Sequence, residues 1–424
     1  MSTFFEKIRL AFADRGLRNR ILFAAGLLVV ARLLAVIPIP GIDPARLQSL
    51  LSGSEFLNLL NLFSGGGLSN LSIVMLGVGP YITASIIMQL LTVMSPALKR
   101  IYQDEGEAGR KRFAQYSRLL TVPLAIVQGY AFIKLLQGQS VLPALPLGTL
   151  AIDIVIIVAG SLLLMWIGEL ISEFGIGNGV SLIIFAGIVS RLPASAGQLL
   201  FTYEPSQLPV YILGLAIALL VIFGVVLVTE AERPIPITYA RQVRGSTASQ
   251  GGVSSYLPLR INQAGVIPII FALSILLFPR MIFQFLSSSS VAAIASFSSK
   301  AVALLTNNTF YACTYFAFVV LFTYFYTAVT FDPDQISTNL QKSGAFIPGV
   351  RPGPATADYI MRVLTRLTLV GALFLGGIAV LPLILRSATG IQSISIGGTA
   401  LLIVVSVVID LVKKIDAQLS AKEY

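Results

Sequence analysis

Four ionisable side chains lie inside or at the ends of long apolar stretches of this sequence, and they are the first candidates for chemistry. They are Arg32, Asp153, Glu169 and Asp410. Carboxylates that converge in the middle of a membrane could bind a coupling proton or sodium ion. Because these three carboxylates fall near the ends of their stretches, the sequence offers no such relay. We expect Arg32 to snorkel to the membrane surface or to pair with a neighbour.

Most enzymatic chemistry is excluded by residue types that the chain lacks. It contains no histidine, which removes imidazole acid–base catalysis, a Ser-His-Asp triad and any histidine-liganded metal. Its single cysteine, Cys313, lies in an apolar run and cannot form a disulfide within the chain. We therefore expect a chain that is not an enzyme, with no cofactor and no metal site.

The elements that carry these residues are predicted to be membrane helices. Hydrophobic residues make up 56% of the chain and charged residues only 11%, whereas soluble domains carry about a quarter. The apolar residues come in blocks, most of which reach the ~20 residues that a ~30 Å hydrocarbon core requires. The predicted fold class is an all-α polytopic membrane protein with ten transmembrane helices. The ten segments cover residues 21–37, 71–94, 119–136, 150–168, 179–192, 209–228, 264–282, 309–330, 367–385 and 396–412.

The distribution of the 29 lysines and arginines predicts how the chain crosses the membrane. Most of them lie ahead of the first segment, in the loops 95–118, 230–262 and 331–366, or after residue 412. Because cytoplasmic loops carry such an excess, both chain ends are predicted to be cytoplasmic. This topology requires an even number of helices, which ten satisfies.

Ten helices divide into an N-terminal half, residues 1–192, and a C-terminal half, residues 209–424, joined by an outer hinge loop at 193–208. An odd number of helices per half means that the halves are inverted relative to each other. The second helix of each half contains glycines and a proline, Pro80 or Pro268. Broken helices at matching positions indicate where a substrate passes. For either site alone, the alternative is that Gly and Pro are simply common in membrane helices.

A short apolar stretch at residues 55–70 lies between the first two segments and ends in three consecutive glycines, Gly65, Gly66 and Gly67. It is too short to span a membrane. An apolar piece on a glycine hinge could fold into the helix bundle and block it. The alternative, which the pattern alone favours, is an interfacial helix on the outer leaflet.

Two long cytoplasmic loops, 230–262 and 331–366, mix basic residues with glycine and proline. Loops of this length tend to be functional, and basic loops can dock on RNA phosphates or on an acidic protein face. The alternative is that the orientation rule alone explains every basic residue. The docking candidates are Arg241, Arg244, Lys342 and Arg351.

Several runs of sequence, in order along nearly the whole chain, resemble the SecY family, the large subunits of bacterial protein-conducting channels. The longest are GVGPYITASIIMQLL at 77–91, GIGNGVSLIIFAGIVS at 175–190, YLPLRINQAGVIPIIFA at 256–272 and KSGAFIPGVRPG at 342–353. The resemblance implies that the two halves form a clamshell around an hourglass pore. Such a pore opens across the membrane and sideways into lipid.

The resemblance also implies that the waist of the pore is a ring of aliphatic side chains. An aliphatic ring offers a passing polypeptide no hydrogen bond, and a narrow apolar constriction resists ions by dewetting. Two pairs of the implied residues are spaced i, i+4 and share one helix face. The alternative is that these residues only pack the bundle. The implied ring is Val78, Ile82, Val180, Ile184, Ile270 and Ile403.

By the same resemblance, residues 55–70 become a plug with its hinge at Gly65 to Gly67. The implied lateral gate, through which signal sequences and membrane segments exit, includes Gln89, Asn262, Pro80 and Pro268. The docking loops would bind the ribosome or the motor ATPase SecA. The loop 230–262 is less basic than the family leads us to expect.

The implied partners are the small subunits SecE and SecG, SecA, the ribosome, signal-sequence-bearing polypeptides and membrane lipid. The implied location is the bacterial plasma (inner) membrane, although the sequence does not distinguish it from a thylakoid. Two other classes stay open at this point: an inverted-repeat secondary transporter and a membrane scaffold that transports nothing. A transporter would require carboxylates that converge at mid-membrane.

Overall fold

The computed structural model describes residues 9, 12–39, 61, 64, 66–68, 70–103, 105–138, 142–143, 146–193, 197, 208–239, 254–287, 291–389 and 398–423. Within these ranges the chain is predominantly helical, as predicted. The helices are α1 (Arg15–Leu34), α2 (Gly79–Met94), α3 (Pro96–Gln103), α4 (Gly106–Gly138), α5 (Leu147–Phe174), α6 (Gly179–Val189), α7 (Leu208–Glu230), α8 (Ile267–Leu286), α9 (Ala292–Thr306), α10 (Asn308–Thr330), α11 (Pro333–Lys342), α12 (Pro354–Thr389) and α13 (Gly398–Glu423). The strands are β1 (Glu232–Tyr239), β2 (Ser254–Arg260) and β3 (Ala345–Phe346).

Each of the ten predicted apolar segments overlaps one of these helices. Five helical stretches in the described residues are long and apolar enough to cross a membrane, and a bent pair, α2 with α3, would make a sixth. The pair bends by 117° at Ser95. The structure therefore supports a multi-pass helical membrane protein, while the count of ten spans stays a prediction.

The chain divides into two compact units. Unit 1 contains Met1–Gly214, Leu273–Tyr311 and Ile403–Tyr424, and unit 2 contains Leu215–Ala272 and Ala312–Leu402. The predicted division into inverted halves around a loop at 193–208 stays a prediction.

Helix α5 is central to unit 1, because it contacts α1, α2, α4 and α6. Glycines allow the backbone of α5 to come close to the turns before α2 and to the start of α6. A Cβ at Gly160 would collide with the carbonyl oxygen of Ile73, and a Cβ at Gly179 would collide with that of Gly168. Close backbone contact through small residues is how membrane helices associate, since lipid is as apolar as their side chains.

Helices α1 and α13 meet in one hydrophobic cluster of unit 1. Leu17 is buried at the start of α1, and Ile176 is buried just after α5. Ile21 of α1 and two residues near the end of α13, Ile415 and Leu419, pack against them. The start of the first helix and the end of the last one therefore lie on the same side of the unit.

Unit 2 contains a three-stranded antiparallel sheet in the order β2-β1-β3, which the all-α prediction missed. Its inner face packs on α12 through a buried core of Ile235, Leu259, Ile347, Ile360 and Val363. The two long loops predicted at 230–262 and 331–366 therefore supply the strands of one folded substructure. In strand β1, buried isoleucines alternate with exposed prolines. This pattern does not predict a strand, because proline is rare in sheets.

The prolines explain why β3 is only two residues long. Pro234 lies opposite Pro258, and since neither has an N–H, this pair exchanges no backbone hydrogen bond. Along a strand, the backbone N–H and C=O groups of alternate residues point to opposite neighbours, so those of Thr238 point to β3, where Thr238 pairs with Phe346. Two residues further along, Pro236 would lie opposite Pro348, so the ladder cannot continue.

Candidate functional site

The start of α2 carries two of the implied ring residues, Val78 and Ile82, and it is fixed by α5. Ser161 of α5 donates its hydroxyl to the carbonyl oxygen of Gly77 at 2.9 Å. Val78 precedes the helix, and its carbonyl accepts the first helical bond from the N–H of Ile82 at 3.0 Å. Pro80 lies in the first turn of α2, where its missing N–H costs nothing. The predicted helix at 71–94 therefore begins at Gly79, because the residues before it form turns.

Helix α6 carries Val180 and Ile184, and its start is also held by α5. The N–H of Gly179 donates to the hydroxyl of Ser172 at 2.8 Å, and the side chain of Asn178 caps the helix by accepting from the N–H of Ser181. Val180 places a methyl group against Gly168, 3.2 Å from where a Cβ would stand. Ile184 lies one turn further along and is fully buried.

Burial is what the ring candidates share. Val78, Ile184 and Ile403 are fully buried, Ile82 and Ile270 are buried and Val180 is half-buried. Ile270 belongs to unit 2 and the other five belong to unit 1. Burial of this kind is expected both for an aliphatic constriction and for ordinary packing. That the six side chains surround one pore therefore stays a prediction.

The glycine hinge adopts a conformation that only glycine fits without strain. Gly66 has φ +87°, in the left-handed region, and its N–H donates to the carbonyl of Asn61 at 2.8 Å. A Cβ at Gly67 would stand 2.8 Å from the hydroxyl of Ser72 and 3.0 Å from the carbonyl oxygen of Val74. Gly65 and most of the predicted plug at 55–70 lie outside the described residues.

The segment that follows the hinge is attached to the end of α1. Ile39 donates its N–H to the carbonyl of Leu71 at 2.9 Å, and Ile73 donates to the carbonyl of Ile37 at 3.0 Å. The side chain of Asn70 adds a hydrogen bond to the carbonyl of Ala35 at 3.3 Å. The glycine hinge is therefore anchored on its C-terminal side to α1.

Arg32, in the last turn of α1, links that helix to α6. Its Nη2 donates to the carbonyl oxygens of Ala186 and Gly187, each at 3.0 Å. A guanidinium at a helix C-terminus complements the negative end of the helix dipole. The expectation that Arg32 pairs with a neighbour is therefore met by backbone carbonyls, which the sequence could not identify because they lie 154 and 155 residues away.

The carboxylates in the apolar stretches do not share contacts; two of them pair with different basic residues. Glu169 of α5 accepts from Arg118 of α4 at 2.6 Å, and Asp410 pairs with Lys414 one turn along α13 at 3.3 Å. Asp153 is buried in α5. Across the described ranges, no group of three or more His, Cys, Asp or Glu side chains could hold a metal ion.

The two amide side chains of the implied gate, Gln89 and Asn262, differ in their hydrogen bonding. Gln89 donates to the hydroxyl of Ser85, one turn earlier in α2, at 3.3 Å. Asn262 is buried in unit 2, and its Oδ1 has no hydrogen-bond partner among the described residues. Pro268 lies in the first turn of α8, as Pro80 does in α2. Hydrogen bonds from these amide side chains to another gate helix stay a prediction.

Two of the four docking candidates can be placed. Lys342 ends α11 and Arg351 follows β3, and both side chains are exposed. Arg241 and Arg244 lie outside the described residues. Lys342 is the last residue of α11, and Arg351 lies on the connection between β3 and α12, so both belong to the folded part of unit 2 that includes the sheet.

Together, the apolar helices define a multi-pass helical membrane protein, and the anchored glycine hinge lies between α1 and α2. Comparison with known proteins identifies the family. The chain belongs to the SecY family, whose sequence model matches residues 72–412.

The comparison with individual proteins covers nearly the whole chain. The protein translocase subunit SecY of Mycobacterium tuberculosis (strain H37Rv) is 42% identical over 96% of both chains. A solved structure describes the plug domain of SecY, which stabilises the closed state of its translocation channel; it matches with TM-score 0.64 at 19% identity, over 94% of this chain and 91% of the other. A structure of Sec61 in a canine ribosome–channel complex matches with TM-score 0.60 at 19% identity over the same shares. The secondary-transporter alternative is not favoured, since the relatives are translocase subunits.

Proposed function

We propose that this chain is the channel-forming subunit of a protein translocase, which passes unfolded secretory polypeptides across a membrane and releases transmembrane segments into lipid. Membership of the SecY family over residues 72–412 carries this proposal. The test is reconstitution of the chain, with its small subunits and a motor ATPase, into lipid vesicles. A secretory precursor should become protected from added protease only when the chain, the motor and ATP are all present. Equal protection in vesicles without the chain would contradict the proposal.

The waist of the channel is proposed to be the six aliphatic residues Val78, Ile82, Val180, Ile184, Ile270 and Ile403. Support comes from the burial of all but Val180 and from the way α5 fixes the helices that carry the first four. Aliphatic side chains bind a moving polypeptide weakly, because they offer it no hydrogen bond. They also exclude ions from a narrow passage by dewetting.

The lateral gate is proposed to include Gln89, Asn262, Pro80 and Pro268. A gate seam needs polar contacts that can break, and hydrogen bonds between membrane helices are weak, at about 0.6–2 kcal/mol. The buried Oδ1 of Asn262, with no partner among the described residues, supports this role, since a buried acceptor of this kind gains a bond when a partner arrives.

Both chain ends are proposed to lie in the cytoplasm, with ten spans arranged as two inverted halves. The excess of basic residues in alternate loops supports the orientation. The shared cluster of Leu17, Ile176 and Ile415 supports an even number of crossings, because it brings the first helix's start and the last helix's end to one side.

The cytoplasmic face is proposed to dock the ribosome or SecA through Arg241, Arg244, Lys342 and Arg351. The exposure of Lys342 and Arg351 beside a folded sheet supports this role, since a rigid base lowers the entropy lost on binding. SecE and SecG are the proposed small subunits. The proposed location is the bacterial plasma membrane.

A further inference from the structure

The contacts of Arg32 with α6 and with the glycine hinge have no part in the function proposed so far. Arg32 belongs to α1, and its guanidinium bonds to two carbonyls in the last turn of α6. The third element is the hinge: the position of a Cβ on Gly66 lies 3.6 Å from Nη1 of Arg32. Arg32 therefore lies where three segments that are far apart in sequence come together: α1, the end of α6 and the glycine hinge.

The neighbourhood of this guanidinium is built to hold it in one place. The hydroxyl of Ser190 donates to Gly187 at 3.0 Å, and the N–H of Ser190 donates to Ala186 at 3.1 Å, so the same two carbonyls are fixed from the other side. Arg191 extends along Gly66 with its Cδ 3.9 Å from the Cβ position. The side-chain position of the hinge glycine thus faces two arginine side chains, Arg32 of α1 and Arg191 just after α6.

Glycine at position 66 is what permits this contact. Its φ of +87° turns the missing side-chain position toward the guanidinium, and a larger residue there would be strained and would press on Arg32. A planar guanidinium can bond to two carbonyls and still present a flat face to the backbone above it. Lysine has three N–H donors for the same carbonyls but no planar face to present to the backbone.

We propose that Arg32 is the positioning residue that seats the plug hinge on α6, the helix that carries Val180 and Ile184. This inference rests on the proposed function, because it assigns a role to a plug. Movement of the C-terminal turn of α6 during opening moves the surface on which Gly66 rests. Arg32 thereby couples the position of the hinge to the C-terminal turn of α6.

The test measures how often the hinge segment moves away from α6 and exposes its buried residues. Ser64 is buried in the hinge, with 3% of its surface exposed, so a cysteine there should react slowly with a membrane-impermeant thiol reagent added from the outer side. The parent chain carries S64C and C313S, which removes the exposed native cysteine. Three further variants are compared in it: R32Q, R32K, and the control R20Q, an exposed arginine on the same helix.

The labelling rate should rise on the order of tenfold in R32Q, because charge-assisted hydrogen bonds are lost. It should rise less in R32K and not at all in R20Q. A parental rate in R32Q, at equal amounts of inserted protein, would overturn the proposal. If R32Q inserts poorly, R32K decides: a raised rate supports the anchor and a parental rate overturns it.

Export of a secretory precursor by the same cells separates this inference from the proposed function. If the parent chain supports no export, the proposed function fails. If the parent exports normally and R32Q labels at the parental rate, only the role of Arg32 fails.

Discussion

Gly77 and Gly265 have the same backbone conformation, with φ of +61° and +62°, and each lies three residues ahead of a proline in the first turn of a helix. The shared sequence is Gly-Val-x-Pro, at 77–80 before α2 and at 265–268 before α8. Left-handed glycine reverses the chain just before the helix, and proline in the first turn favours helix initiation there. Two helices at matching places in the predicted halves thus begin by the same local mechanism.

This equivalence puts Ile82 and Ile270 at the same position, five residues after their glycines. The pairing is an internal reason, independent of other proteins, to expect that the two side chains serve one role. Each proline begins a helix rather than interrupting one, so the predicted segments 71–94 and 264–282 start with turns ahead of the helix.

Replacing Gly160 with alanine should destabilise unit 1, because the new methyl group would collide with the carbonyl of Ile73. We expect a loss of about 1–3 kcal/mol, as in other overpacked interiors. Thermal unfolding of the purified protein in detergent measures the effect. Gly148 is the matched control on the same helix, since nothing lies within 4 Å of its Cβ position. Equal melting temperatures for the two variants would refute the close packing of α5 on this segment.

Replacing Leu259 with alanine should loosen the sheet of unit 2. Leu259 is fully buried in the core between the sheet and α12, and such truncations cost about 2–5 kcal/mol. Protease cleavage within residues 230–262 should become faster in the L259A variant. Tyr256, on the same strand but 62% exposed, is the control, and its alanine variant should be cleaved at the parental rate. Unchanged cleavage of L259A would mean that this core does not hold the sheet.

Charge reversal at Arg351 should impair translocation without lowering the amount of inserted protein, because the side chain is exposed beside a folded base. The measurement is precursor export per inserted copy of the R351E variant. Arg362, exposed on α12 and bonded to its own helix through the carbonyl of Asp358, is the control. If R351E lowers export and inserted protein equally, the residue serves folding or orientation instead of docking.

The sequence predicted the helices well because their hydropathy is a local property of the chain. It missed the sheet because Pro234 and Pro236 break the usual strand pattern and because β1 pairs with β3 more than a hundred positions away. The sequence also could not predict the contacts of Arg32, because its acceptors are backbone carbonyls, which are present at every residue. The roles of the ring and the hinge came from resemblance: spacing alone favoured packing for Val180 and an interfacial helix for residues 55–70.

Replacing Ile403 with asparagine should relax the proposed waist and let precursors with defective signal sequences through. Ile403 is fully buried in α13, and an amide there would offer hydrogen bonds to water and to the passing chain. Export of a signal-defective precursor measures the effect. Val408, 43% exposed on the same helix, is the control for adding an amide to α13. Unchanged export in I403N would remove Ile403 from the waist.

The central claim is that Ile82 and Ile270 both line the path of a passing polypeptide, and crosslinking to a stalled chain tests it most directly. A photoreactive amino acid is placed at 82, at 270 and, as a control, at Leu220, which is 71% exposed on the apolar helix α7. We predict crosslinks between a stalled secretory precursor and positions 82 and 270, with none at 220. Crosslinks at 220 and none at 82 or 270 would contradict the claim.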